Sequence, residues 1–141
     1  MLAGIGLRRQ QVYIANMVKC RPPQNRDPLP AEISACSKYL NRQIELIDPA
    51  LIVTLGRFSL ARFFPGESMT RARGRLRERD GRRIYPIMHP AAALYRQEMR
   101  SAIVEDFQRI PAILEEARRS PLAAPQAAVE QEPPPEQLTL L

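Results

Sequence analysis

Hydrophobic positions along the chain fall into short blocks whose spacing changes from two to about three and a half residues, with proline and glycine at the breaks. Val12-Tyr13-Ile14-Ala15 places β-branched and aromatic residues ahead of a proline-rich break and predicts a short strand. Arg21 to Pro30 contains four prolines and can be neither helix nor central strand, so it is read as a loop. Pro30 suits a first helical position, and Ile33, Cys36, Leu40, Ile44 and Ile47 follow at helical spacing up to Pro49, which puts Cys36 on the inward face. Leu51 to Leu55 has the length and apolar character of a strand covered on both faces, Gly56 closes it, and Phe58 to Phe64 predicts a short helix. Arg71 to Ile87 alternates around Asp80-Gly81, a hairpin signal, and predicts two strands. Met99 to Ala117 predicts a helix with Ile103, Phe107, Ile110 and Leu114 on one face, kinked or restarted at Pro111. This order predicts an α/β fold with a central, largely parallel sheet flanked by helices.

Composition then divides the chain. All 21 basic residues lie in 1–119 together with 12 of the 15 acids, a net charge of +9, while 120–141 carries −3. The first part is expected to be one α/β domain, and the Pro-, Ala-, Gln- and Glu-rich remainder a disordered tail. Nineteen of the basic residues are arginine, the side chain suited to bidentate phosphate contacts, which favours a nucleic-acid partner over an acidic protein; a high-GC genome that prefers arginine codons is the plain alternative. No apolar run reaches membrane-spanning length and no signal-peptide layout is present, so a cytoplasmic location is expected; the chain is also expected to be a monomer. Two cysteines do not make a secreted disulfide framework.

Several residues stand where chemistry is placed. Asn16 ends the first predicted strand, where open parallel sheets keep ligand-binding groups; it is also a common turn residue. His89 is the only histidine, directly after a predicted strand and fixed by Pro90. Cys20 lies in the proline-rich loop and Cys36 on the following helix; the alternative to ligation is a loop thiol and a core cysteine. Arg71, Arg73, Arg75, Arg77 and Arg79 alternate and are expected on one strand face, suited either to phosphates or to a solvated edge strand. Gly56 and Gly74 are read as turn residues allowing close backbone approach.

The run Lys19-Cys20-Arg21-Pro22-Pro23-Gln24-Asn25-Arg26-Asp27-Pro28, Cys36 sixteen positions after Cys20, Leu51-Ile52-Val53-Thr54-Leu55-Gly56-Arg57, the step Arg73-Gly74 and His89-Pro90-Ala91-Ala92 occur in one order. The string resembles the family 4 uracil-DNA glycosylases, repair enzymes of bacteria and archaea, over roughly residues 11 to 110. The resemblance implies that Asn16 reads uracil, donating to O4 and accepting from N3–H where cytosine presents the opposite pattern. It implies that His89 donates to uracil O2 as the glycosidic bond breaks. The loop after His89 is then expected to enter the minor groove and help extrude the base, with Leu94 and Tyr95 as wedge and Arg96 on a phosphate; Arg73 and Arg75 of the arginine row are the further candidates for DNA contact. This chain reads His89-Pro90-Ala91-Ala92-Ala93-Leu94-Tyr95-Arg96 where the commoner pattern is H-P-A-A-L-L-R, so two registers of that loop stay open.

Cys20 and Cys36 are implied to be two of four ligands of a structural 4Fe-4S cluster. The family's other cysteine pair, C-x2-C, and its water-holding G-E-A-P-G segment are not in the sequence, so the chain is expected to be the C-terminal part of such an enzyme and nearly inactive alone. Family 5 relatives rank second, since their motif after His-Pro is Ser/Gln-rich, and a non-catalytic DNA-binding or clamp-associated remnant is the rival from another class. Gln137-Leu138-Thr139-Leu140-Leu141 resembles the Q-L-[SD]-L-F peptide that docks repair proteins on the bacterial sliding clamp, or is a chance apolar terminus.

Overall fold

The computed structural model describes residues 1–120 and Leu122, with the side chain of Tyr95 outside that set. The long helix α1 spans Pro30–Ile47, starting at the proline as read from the sequence. Leu29 N–H donates to Glu32 Oε2 at 2.8 Å, which closes its first turn, and Asp48 ends it in the left-handed conformation (φ 43°). Only Leu40 of this helix is buried. Cys36 is half-buried, while Ile47, expected inward, is exposed.

Strand β1 (Ile52–Leu55) leads through Gly56 into helix α2 (Arg57–Phe63) and the short helix α3 (Met69–Ala72). A hairpin follows, β2 (Arg77–Arg79) and β3 (Arg82–Ile87), turning at Asp80-Gly81 with φ of 51° and 67° as the sequence signal requires. The sheet order is β1-β3-β2: β1 pairs with β3 in parallel, Ile52 opposite Ile84 through Leu55 opposite Ile87, and β2 pairs with β3 antiparallel. The fold is thus α/β as expected, with a sheet that is mixed.

Central β3 is buried on both faces, and its alternation divides the core in two. Tyr85 and Ile87 point to one side, where they pack with Ile103, Phe107 and Ile110. Ile84 points to the other, against Leu60, Phe64 and Ala72. The first side is roofed by helices α5 (Glu98–Gln108) and α6 (Ile110–Arg119), which restart at Arg109 with Pro111 in the first turn of α6. Proline lacks the N–H that an uninterrupted helix needs there, so the break expected at Pro111 falls two residues earlier.

Two expectations are corrected. Val12-Tyr13-Ile14-Ala15 is not a strand: Val12 is extended (φ −127°, ψ 145°), but among the described residues no strand pairs with the segment, and an extended backbone without a ladder is loop. Nor do five arginines share a strand face. Arg71 lies in α3, Arg73 caps it, Arg75 follows in a turn, and only Arg77 and Arg79 belong to β2. The alternation from 71 to 76 is overridden by the turn that Gly74 makes at φ 70°.

That turn sits on a buried carboxylate. Asp106 of α5 is 3% exposed and accepts Arg73 Nε at 3.0 Å, while Arg73 Nη2 also donates to Ala102 O at 3.1 Å. A Cβ on Gly74 would lie 2.9 Å from Asp106 Oδ1, whereas one on Gly66, at a similar φ of 77°, would meet nothing within 4 Å. Gly66→Ala is expected to cost about 1 kcal/mol through backbone strain, and Gly74→Ala about 1–2 kcal/mol more because it also disturbs a buried ion pair. Chemical denaturation of the two variants measures the gap; equal losses would refute the close packing at Gly74.

Candidate active site and cysteine loop

The carboxyl ends of β1 and β3 lie side by side, and the chain leaves each in a way that fixes His89. Gly56 N–H donates to Ile87 O at 2.9 Å, and a Cβ on Gly56 would stand 3.2 Å from His89 Cβ, so only glycine leaves room there. Ala91 N–H donates to His89 Nδ1 at 3.1 Å. With Nδ1 accepting, the imidazole proton is on Nε2, which leaves the exposed side chain one directed donor. The His89 carbonyl accepts from Ala92 N–H at 2.9 Å and starts helix α4 (Ala92–Tyr95). Leu94 projects from that helix 82% exposed, an unusual position for a leucine, and Arg96 just beyond it is also exposed. The Tyr95 side chain lies outside the described residues.

Asn16 is exposed at the end of the unpaired extended segment, immediately before the cysteine loop. That loop is pinned at several points. Lys19 N–H donates to Cys36 Sγ at 3.3 Å, and Lys19 Nζ donates to Asn16 O at 3.1 Å and Gln43 Oε1 at 2.8 Å. Arg21 Nε reaches Asn25 Oδ1 at 2.6 Å. Arg26 grips Glu32 with both terminal nitrogens, at 2.9 and 2.7 Å, and Asp27 pairs with Arg57 at the start of α2. The last pair ties the loop to the same β1–α2 turn that abuts His89. Opposite charges at 26 and 32, six residues apart across a helix start, were a signal in the sequence; Asp27 with Arg57, thirty residues apart, was not.

Of the arginines expected on phosphates, Arg75 and Arg96 are exposed, whereas Arg73 is held by Asp106 and Ala102. Arg77 stacks 3.9 Å over Phe64 and bonds Glu67 at 2.9 Å. The two thiols are free, Cys20 exposed and Cys36 half-buried, and Cys36 sulfur accepts the N–H of the residue next to Cys20. Such an N–H to sulfur bond suits a thiolate ligand. Among the described residues no group of three or more His, Cys, Asp or Glu side chains gathers to hold a metal, so the two sulfurs fit half of a four-thiolate set and do not complete one. Also among the described residues, no helix is long and apolar enough to cross a membrane. Gln137 to Leu141 lies outside them.

The imidazole, the protruding apolar tip and the exposed arginines gather near the carboxyl edge of the sheet of an α/β domain, the edge where open sheets of this class hold their ligands. The chain belongs to the uracil DNA glycosylase superfamily, whose family model matches residues 1–109. It is 49% identical over 116 residues to a type-4 uracil-DNA glycosylase of Sulfurisphaera tokodaii, covering 75% of this chain and 52% of that protein. It is 46% identical over 119 residues to a type-4 uracil-DNA glycosylase of Archaeoglobus fulgidus, covering 78% and 60%. A type-5 uracil-DNA glycosylase of Pyrobaculum aerophilum matches at 30% identity over 89 residues, covering 61% of the chain. The chain thus spans little more than half the length of the type-4 relatives.

The Arg26 guanidinium, through its hydrogen bonds, and the Leu29 N–H lower the Glu32 carboxyl to about 2, well under its ordinary value. A depressed carboxylate contributes fully above its unfolded value near 4.5 and loses the contribution as pH falls through about 2. Carboxyl-carbon NMR titration should therefore find a Glu32 midpoint near 2, rising toward the ordinary value in Arg26→Gln. A wild-type midpoint near 4.5 would mean the loop is not gripped in solution.

Proposed function

We propose that this chain is the base-reading part of a uracil-DNA glycosylase of base excision repair, which extrudes uracil from DNA and hydrolyses its N-glycosidic bond. The observation that carries the reading is the His89 imidazole at the carboxyl edge of the sheet, held with Nε2–H as its outward donor. Cleavage leaves negative charge on the uracil ring, and a preorganised donor at O2 stabilises that charge most in the transition state. Asn16 reads the O4 and N3–H edge of the extruded base. Leu94, with Tyr95, fills the gap left in the stack, and its 82% exposure is what a wedge requires. Arg96 and Arg75 take phosphates, and Arg73, bonded to Asp106 and Ala102, holds the turn before Arg75. Cys20 and Cys36 are two ligands of a structural 4Fe-4S cluster that fixes the proline-rich loop; the chain's own residues supply the base-reading and charge-stabilising steps. A cytoplasmic monomer fits this role.

The assay is uracil release from single- and double-stranded oligonucleotides by the chain joined to the remainder of a type-4 relative. Asn16→Ala and His89→Ala should each lower the single-turnover rate by about 30- to 1,000-fold, roughly 2–4 kcal/mol of transition-state stabilisation. The histidine variant should keep its DNA affinity. Wild-type rates in both variants would refute the assigned roles.

The terminal Gln137-Leu138-Thr139-Leu140-Leu141 is proposed to dock the enzyme on the sliding clamp, its leucines entering an apolar pocket and its glutamine bonding at the rim. A peptide covering Glu130 to Leu141 should bind the bacterial clamp, and Gln137→Ala with Leu140→Ala should abolish binding. Equal binding by both peptides, or none by either, overturns the proposal.

A further inference from the structure

Lys19 occupies a crossing point that neither base chemistry nor thiolate ligation accounts for. Its N–H is on Cys36 Sγ at 3.3 Å, and its ammonium is shared between Asn16 O at 3.1 Å and Gln43 Oε1 at 2.8 Å. Cys36 and Gln43 are seven residues apart on α1, two helical turns, so they stand on one stripe about 10 Å apart. Lys19 therefore staples the 16–20 segment to that stripe at two heights. The lower staple passes through main chain and the upper through the side chain, which also closes back onto the carbonyl of Asn16.

An ammonium has three donors, and two of these are committed within the protein. That disposition suits fixing a loop better than gripping a phosphate, which needs the charge turned outward. The segment needs such a device, because Val12 to Asn16 has no strand partner to hold it and Asn16 is exposed. An amide that must tell one base edge from another requires a fixed backbone beneath it, since a displacement of about 1 Å is enough to spoil a hydrogen-bond pair.

We propose that Lys19 is a positioning residue for Asn16, coupling base discrimination to helix α1 through Gln43, although neither Lys19 nor Gln43 touches the base. The inference rests on the reading of Asn16 as the uracil-binding residue. It links the two halves of the loop: the contact that orients the asparagine is made by the residue whose N–H bonds the cysteine sulfur.

The test uses the full chain and two single-stranded oligonucleotides that resist cleavage, one carrying 2′-fluoro-deoxyuridine and the other 2′-fluoro-deoxycytidine, with affinity read by fluorescence anisotropy. The wild type should prefer the uracil probe. Lys19→Met and Gln43→Met should each reduce the preference at least fivefold while changing affinity for the cytosine probe less than twofold, and Lys19→Arg should restore part of it. If Lys19→Met weakens both probes equally and flattens the salt dependence, Lys19 is a phosphate contact and the proposal falls. An unaltered preference in Gln43→Met removes the coupling to α1. Should the wild type bind both probes alike, the uracil reading of Asn16 fails, and positioning is judged separately on backbone order. Heteronuclear NOE values for residues 16–19 should drop in Lys19→Met and Gln43→Met, and unchanged values overturn the staple.

Discussion

One buried carboxylate fixes the end of the sheet. Asp106 is 3% exposed, and a carboxylate in that position is tolerated only if it is paired and hydrogen-bonded. Arg73 meets it, and the residue after Arg73 must then lie so close to the pair that a side chain is excluded, which makes Gly74 obligatory. Gly74 N–H donates to Pro86 O at 2.8 Å, and its carbonyl accepts Arg109 Nη1 at 3.2 Å. Tyr85 hydroxyl adds a bond to the main chain of Asp106 at 3.2 Å, and burial raises its phenol above the ordinary range. Pro86 is three residues from His89. The turn, helix α5 and the strand that delivers the imidazole are thus set by a single polar contact under the core.

The same economy governs the arginines. Counted in the sequence they suggest a basic surface, yet many are engaged within the fold. Arg83 reaches Ala117 O at 2.8 Å beneath α6, Arg62 reaches Asn41 Oδ1 at 2.6 Å between helices, and Arg82 pairs with Asp48 at 3.1 Å beyond the end of α1. With Arg26, Arg57, Arg73 and Arg77 already paired, fewer arginines are free to face a nucleic acid than their count in the sequence implies. Of the arginines offered for phosphates in the sequence, Arg71, Arg75, Arg79 and Arg96 are exposed.

Much of this was legible because local signals agreed with tertiary demands. Pro30 and the 3.6-residue spacing gave α1 and Asp80-Gly81 gave the hairpin, whereas the apolar run read as a strand covered on both faces forms β1 at the edge of the sheet, where only Thr54 is buried. Reading failed where a local pattern needed a distant partner. Val12 to Ala15 has strand composition, but a strand exists only beside another strand. The arginine row alternates, but Gly74 and the Asp106 contact, thirty-two residues on, break the register. For the site, position along the chain singled out Asn16, His89 and both cysteines. Of the supports that hold them, Lys19, Asp27 and Arg57 stand within the motifs and Gln43 outside them, but the pairings they make come only from contacts across the fold.

The two edges of the sheet are chemically unlike. The β2 edge is Arg77-Glu78-Arg79, short and charged, which makes it a poor template for any further backbone. The opposite edge is Ile52-Val53-Thr54-Leu55, without a charge, and among the described residues the buried hydroxyl of Thr54 finds no hydrogen-bond partner. Growth of the sheet is therefore one-sided. A strand added from elsewhere in a longer polypeptide, or from another molecule, meets repulsion and mismatch beside β2 and an open, neutral ladder beside β1. Such a strand would run past the Gly56 turn, on the same margin of the sheet as His89.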